Sequence, residues 1–323
     1  MSGPRVVALG GGHGLAASLS ALRQVTTELT AVVTVADDGG SSGRLRSELD
    51  AVPPGDLRMA LAALAGDDDV SRTWRALLQH RFPGAGPLGG HAVGNLLLAG
   101  LAQSTSGLVE ALDLVGRLVG ARGRVLPASC IPLVVVAEVV GLDPADPSAV
   151  REVVGQVAVA TTPGVVCAVH LRPAEPPACV EAVEAIHAAD YVVLGPGSWF
   201  TSVLTHLLVP DLRAALEQTS ARRIVALNLA PQAGETDGFS PENHLEVLAA
   251  HAPGLQLDVV LADADTVVDP RALTAAVESA GAQLVLAPVS LADGTPRHDP
   301  VRLAAAYRHV MTDQRTKEEP AWR

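Results

Sequence analysis

The stretch Arg5–Leu9, RVVAL, runs directly into Gly10-Gly11-Gly12-His13-Gly14, and Leu15, Leu19 and Leu22 follow at helical spacing. An unbroken apolar run of this length predicts a strand buried on both faces, the glycines predict a tight turn, and the leucines predict a helix that packs through one stripe. A second apolar run, Thr30–Val35 (TAVVTV), completes a strand–helix–strand unit. With a right-handed crossover this is the half-unit of a doubly wound sheet. The expected fold is therefore α/β, with a Rossmann-like, doubly wound, mostly parallel sheet.

Further along, Ala36–Pro54 reads as a long polar loop, Asp56 as the N-cap of a helix beginning Leu57-Arg58-Met59, and Trp74–Gln79 and Leu96–Leu101 as helical. From Arg122 the character changes. The short β-branched runs Leu133–Val140, Val153–Ala160 and Val165–Leu171 predict a small β-rich insertion with antiparallel pairing. The proline-rich piece Pro173–Pro177 marks its end, after which α/β rhythm returns. Strands are expected at Tyr191–Leu194, Ile224–Leu227, Leu257–Leu261 and Leu284–Ala287, with helices at Pro241–His251 and Pro270–Ala280. This gives a nucleotide-binding core in two parts, residues 1–121 and 179–312, interrupted by an insertion over 122–178 and followed by a flexible charged tail, 313–323.

Composition narrows the function. Of 323 residues, 48% are hydrophobic and 18% charged, so the chain can build a sizeable core. Aromatics are only 2% and the net charge is −12, which argues against base-stacking platforms and against a general surface for nucleic acid or anionic membrane. Lys317 is the single lysine, so an anion site must be built from arginine, backbone N–H groups or a metal. Cys130, Cys167 and Cys179 form no CxxC pair, which fits a reducing compartment. No export signal or membrane span is expected, and the protein is expected to be cytoplasmic.

The candidate chemistry lies at the ends of strands. Gly10, Gly11, Gly12, His13 and Gly14 open a helix whose free N–H groups and partial positive charge suit a phosphate, although Leu15 stands where a dinucleotide fingerprint has its third glycine. Asp37 and Asp38 close the second strand. They suit ribose hydroxyls, a shared Mg²⁺, or simply a turn. Gly39, Ser41, Ser42 and Arg44 add flexible backbone, hydroxyls and a guanidinium. Asp56 is an N-cap candidate, and Arg58 follows it in the first helical turn. Asn95 suits either a base or sugar contact or the cap of its own helix. Gly195-Pro196-Gly197-Ser198 repeats the strand–glycine–helix logic, and Trp199 and Phe200 behind it read as core or interface residues. Asn228 ends another strand, and Arg297 suits either closure over a phosphate or an ordinary solvated surface position, the latter being the default. No HExxH pair and no GxSxG elbow appears.

These residues also carry a resemblance. Gly10–Gly14, the block Thr34–Arg46 (TVADDGGSSGRLR), Pro53–Arg58 (PPGDLR), Gly94-Asn95, Gly195–Ser198 and Arg297-His298-Asp299 are similar to the YvcK family, the gluconeogenesis factors, over about residues 4–311. That family is related to the CofD group, the 2-phospho-L-lactate transferases of coenzyme F420 biosynthesis. The resemblance implies a CofD-like fold and a regulatory protein that binds a UDP-sugar, UDP-N-acetylglucosamine, and serves cell shape, envelope synthesis and growth on gluconeogenic carbon sources. It implies that the glycine turns, Asp37, Asp38, Asn95, Gly197, Ser198 and Asn228 line a nucleotide cleft, with Arg297 a further candidate. His13 departs from the threonine usual in that branch. No cofactor is required on this reading, Mg²⁺ on Asp37 and Asp38 is an option, and the expected partners are a nucleotide sugar, envelope-synthesis proteins and further copies of the chain. The alternative is a CofD-like, Mg²⁺-dependent phospholactyl transferase. An NAD(P)-dependent oxidoreductase is weaker, because the glycine fingerprint is incomplete.

Overall fold

The computed structural model describes residues 3–232 and 234–312; the expected flexible tail, 313–323, lies outside the described residues. The first half runs β1 (Val6–Gly10), α1 (Gly12–Leu22), β2 (Leu29–Val33), α2 (Gly40–Leu49), α3 (Gly55–Leu64), α4 (Asp69–Gln79), α5 (Val93–Ser104), α6 (Leu108–Leu118) and β3 (Arg124–Pro127). Then come β4 (Val134–Val140), β5 (Arg151–Val154), α7 (Gln156–Ala160) and β6 (Val165–Arg172). The last part is α8 (Val180–Ala188), β7 (Tyr191–Leu194), α9 (Pro210–Gln218), β8 (Arg222–Ala226), α10 (Pro241–His251), β9 (Val259–Asp263), α11 (Pro270–Ser279), β10 (Gln283–Ala287) and α12 (Pro300–Thr312).

Seven strands form one parallel sheet in the order β10-β9-β8-β7-β1-β2-β3. The expected doubly wound α/β architecture is present. The chain leaves β1 toward β2 and β3, then returns on the other side through β7 to β10. The topological switch therefore lies between β1 and β7. Register sets their carboxyl ends level, with Gly10 opposite Val33 and Leu9 opposite Leu194. In such a sheet the crevice beyond these ends is the place for a ligand. All five residues of β1 and all four of β7 are buried, which is why the sequence shows no polar alternation there. The core around them is aliphatic.

Five local expectations are corrected, one of them Asp56, which lies within the first turn of α3 while Pro54 takes the N-cap. Ala36–Pro54 is not all loop: it contains α2, because Ser41, Ser42 and Leu45 are buried by tertiary contacts. Arg124–Pro127 belongs to the main sheet as edge strand β3, although the β-rich insertion was expected from 122. The run 153–160 is not one strand. It breaks at Gly155, whose φ of +101° suits glycine, and continues as α7. The insertion proper is the antiparallel sheet β5-β4-β6 with α7. Trp199 and Phe200 are 0% and 1% exposed within this single chain, so they belong to its core rather than to an interface. Their rings meet His244 at 5.0 Å and Phe239 at 6.0 Å. Among the described residues no helix is long and apolar enough to cross a membrane.

Candidate functional site

The β1–α1 turn and the turn after β7 abut. A Cβ on residue 14 would overlap the carbonyl of Pro196, and one on residue 197 would lie 3.6 Å from the Gly11 carbonyl oxygen. The first turn is equally tight against α3, since a Cβ on residue 11 would stand 2.5 Å from Asp56 Oδ2 and 2.7 Å from Thr34 Cγ2. Only glycine lets these backbones approach so closely. Gly11 caps α1 in an extended conformation with no side-chain cap, so the first-turn amides of α1 open toward the switch point.

Asn228, at the end of β8, fixes the second turn. Its Oδ1 accepts from Gly197 N at 2.9 Å and its Nδ2 donates to Gly197 O at 2.8 Å. Ser198 and Thr201 donate to the buried carboxylate of Glu235, Thr201 at 2.7 Å, while Glu235 Oε2 has no partner among the described residues.

Asp56 is the most perturbed carboxyl in the cleft. Burial first, then repulsion from Asp37, pushes its pKa up to about 7, against the smaller opposing pulls of the Gly12 amide and Arg58. Its Oδ2 is buried without a hydrogen bond among the described residues. Asp37 therefore works against Asp56 rather than alongside Asp38. Asp37 Oδ1 accepts from Gly39 N at 2.9 Å. Asp38 turns to the insertion instead: its Oδ1 accepts from Val157 N at 3.0 Å and its Oδ2 is the atom a Cβ on residue 155 would strike. The two adjacent aspartates are drawn to different partners, and among the described residues no group of three or more His, Cys, Asp or Glu is set to hold a metal ion.

Behind this edge runs a buried polar chain. Arg58 Nε donates to Asn95 Oδ1 at 2.9 Å, Asn95 Nδ2 donates to Ser41 Oγ at 3.1 Å, and Ser41 Oγ meets His91 Nδ1 at 2.9 Å. Asn95 thus neither caps its helix nor stands free for a base. Ser42 packs against Gly55. Arg44 donates to the carbonyls of Gly89 (2.9 Å) and Pro87 (3.3 Å), bracing the glycine-rich loop before α5. Arg297 is exposed and paired with Asp293 at 2.9 Å. Its neighbour His298 turns inward to the Leu227 backbone, where burial holds its pKa down to about 4.

The structure therefore brings together Gly10–Gly14, Asp37, Asp56, Gly195–Ser198 and Asn228. Gly39, Ser41, Ser42, Arg44 and Asn95 shape the surrounding wall, Asp38 faces the insertion, and Arg297 stays on the outside. Sequence reading gave no role to Glu235, His244 or Asp263, nor to His298 beyond its place in the Arg297–Asp299 motif. Asp263 ends β9 and was open to the same strand-end logic as Asn228; it accepts from the amides of Val289 and Ser290, both at 2.8 Å.

Asn228 also lines a cavity of about 400 Å³ beyond β8 and β9, walled by Leu227, Pro231, Phe239, His244 and Val267 among others. His244 is 5% exposed; its Nδ1 lies 2.9 Å from the Ser240 carbonyl, and its buried Nε2 has no partner among the described residues. Nδ1 must carry the proton to donate there, so Nε2 is an acceptor. Burial holds the ring's pKa down and favours this neutral form.

Residues 6–289 match the family model described as 2-phospho-L-lactate transferase CofD. A Mycobacterium tuberculosis protein provisionally described as a gluconeogenesis factor is 56% identical over 319 residues, covering 98% of this chain and 92% of that one. A Listeria monocytogenes protein described as a gluconeogenesis factor is 34% identical, covering 98% of both chains. A crystal structure of a UPF0052 family member from Bacillus halodurans superposes with a TM-score of 0.84 at 34% identity, over 95% of this chain and 99% of that one. With a parallel sheet switched at β1 and β7 and glycine turns meeting at the switch, the chain belongs to the CofD family, in the branch of the gluconeogenesis factors.

Proposed function

We propose that this chain is a UDP-sugar-binding regulatory protein, with UDP-N-acetylglucosamine as its ligand. The observation that carries the reading is Asn228. One side chain holds the Gly197 turn against the β1–α1 turn and also lines the 400 Å³ cavity. A diphosphate on the glycine turns thereby has an adjoining, mostly apolar pocket of the size that takes a nucleoside. The reading needs no resident cofactor. A Mg²⁺ travelling with the diphosphate would meet Asp37, since Asp38 is held by Val157. On this reading the protein works in the cytoplasm, as an assembly of identical copies, and passes the sugar-nucleotide signal to proteins of envelope synthesis, cell shape and gluconeogenic growth.

The direct test is calorimetry and thermal shift with UDP-N-acetylglucosamine, UDP and CDP. Saturable binding of the uridine compounds with weaker binding of CDP is expected. An unchanged melting temperature at millimolar ligand counts decisively against the reading, because a ligand far above its Kd must stabilise the fold.

A second reading is favoured by Asp56. A carboxyl that titrates near neutrality at a glycine-lined switch point is suited to proton transfer in a CofD-like transferase. Transfer of a phospholactyl group to the deazaflavin acceptor, lost in Asp56→Asn, would establish it over the first.

A further inference from the structure

On the outer side of α1, α3 and α4 lies a groove of about 710 Å³. Its walls carry four arginines, Arg58, Arg72, Arg75 and Arg81, together with His13, and no Asp or Glu. In a chain of net charge −12, with 35 acidic residues against 23 basic ones, such a gathering runs against the composition. The rest of its lining is five alanines with Ser20, Met59 and Gln79, so the guanidinium groups supply most of the groove's capacity for polar recognition.

These charges are only partly compensated, by Asp67 near Arg75 and by Asp56 and Asp37 near Arg58. Among the described residues Arg58, Arg75 and Arg81 enter no ion pair, and Arg72 pairs only with Asp69 on its own exposed helical turn. Arg58 is 4% exposed and fixed through Nε by Asn95, which orients its fork. Burial first, then the nearby Arg81, depress its pKa against the smaller opposing pulls of Asp56 and Asp37, so an added anion would relieve the Arg58–Arg81 repulsion. One phosphate engages one or two guanidinium forks, and four forks around one groove match several phosphates. The volume is that of a small-molecule site, not of a macromolecular face.

We propose that this groove is a second binding site, for a small, multiply phosphorylated molecule, separate from the nucleotide cleft. His13 and Arg58 stand where the two sites approach each other. Arg72 and Arg75, on α4, belong to the groove alone.

The test is calorimetric titration of the full chain with inorganic tripolyphosphate. Saturable binding is expected, weakening with added salt. Arg75→Ala, whose side chain makes no hydrogen bond or ion pair among the described residues, should weaken it about tenfold with the melting temperature unchanged. The double variant Arg72→Ala/Arg75→Ala should weaken it further. Binding of UDP-N-acetylglucosamine should stay within about twofold in both. The proposal is overturned by absence of tripolyphosphate binding at millimolar concentration, or by wild-type affinity in the double variant. It is also overturned if tripolyphosphate and the nucleotide sugar displace each other one for one and both weaken in Arg75→Ala, since the groove is then an arm of the cleft. A chain that binds tripolyphosphate through Arg75 but ignores UDP-N-acetylglucosamine refutes the nucleotide reading and leaves this one standing.

Discussion

Replacing Asp56 by asparagine isolates the most perturbed carboxyl of the cleft. In the folded chain this group has a pKa of about 7 against a reference value of 3.8. Between those values the folded state keeps a proton that the unfolded chain has released. The unfolded state therefore binds fewer protons, and stability must fall as pH rises. A displacement of roughly three pK units at about 1.4 kcal/mol each puts the ceiling near 4 kcal/mol, roughly half or more of it developing between pH 5 and pH 8. The loss is complete above the folded pKa and absent below the unfolded one. Asparagine keeps the shape and removes the titration. The unfolding free energies of wild type and Asp56→Asn, measured in urea, should therefore agree to within about 1 kcal/mol near pH 4 and diverge steadily up to pH 8, with the variant the more stable. Asp37→Asn should recover part of the difference, since Asp37 repulsion is the second cause after burial. Parallel curves for wild type and Asp56→Asn across this range would refute the argument, because they would mean that Asp56 ionises alike in both states.

Other consequences can be read on single variants. Gly14→Ala drives a methyl group into the Pro196 carbonyl and should cost about 1–3 kcal/mol in denaturation, with nucleotide binding lost alongside. Asn228→Ala removes both bonds to Gly197 and leaves a partly buried N–H and C=O unpaired. A stability loss of about 1–3 kcal/mol is expected, and calorimetry should show weakened UDP-N-acetylglucosamine binding; an unaffected affinity would remove Asn228 from the site. Asp38→Ala takes the cap from α7 and should cost about 1 kcal/mol, seen as faster amide exchange at Val157, while a metal role for Asp38 would instead show as a loss of Mg²⁺-dependent binding.

What the sequence reveals follows from which forces act locally. The glycine turns are legible because their backbones touch: Gly11 against Asp56 and Gly14 against Pro196 admit no side chain, and that requirement is written in the residue type. The strands of the parallel sheet are legible because burial on both faces leaves unbroken apolar runs. Helix α2 is hidden, because Gly43 costs about 1 kcal/mol of helix propensity and the helix is held by burial of Ser41, Ser42 and Leu45. The cleft's carboxylates divide the same way. Asp37 and Asp38 were found as a strand end, but nothing local says that one faces Asp56 and the other Val157. Glu235 and His244 acquire their character only when the loop after β8 folds over Ser198 and Trp199. The inward turn of His298, in place of Arg297, is settled by the Leu227 backbone it reaches.

The division between Asp37 and Asp38 also explains what the insertion does for the cleft. Helix α7 is held at its start by the Asp38 carboxylate, from the loop after β2. At its end the Ala160 carbonyl lies so close to Gly234, in the loop after β8, that a Cβ there would overlap it. Those two loops leave the sheet on opposite sides of the switch point, one toward Asp56 and the other toward Asn228 and Glu235. A five-residue helix touching both is a strut across the mouth of the cleft, and β4, β5 and β6 supply the rigid sheet that carries it. Adjacent aspartates thus serve two purposes: Asp37 raises the pKa of Asp56 inside the cleft, and Asp38 ties the insertion to the loop after β2. If the cleft holds the nucleotide proposed above, a substitution that loosens α7 weakens its binding through these contacts, although no residue of the insertion needs to touch it.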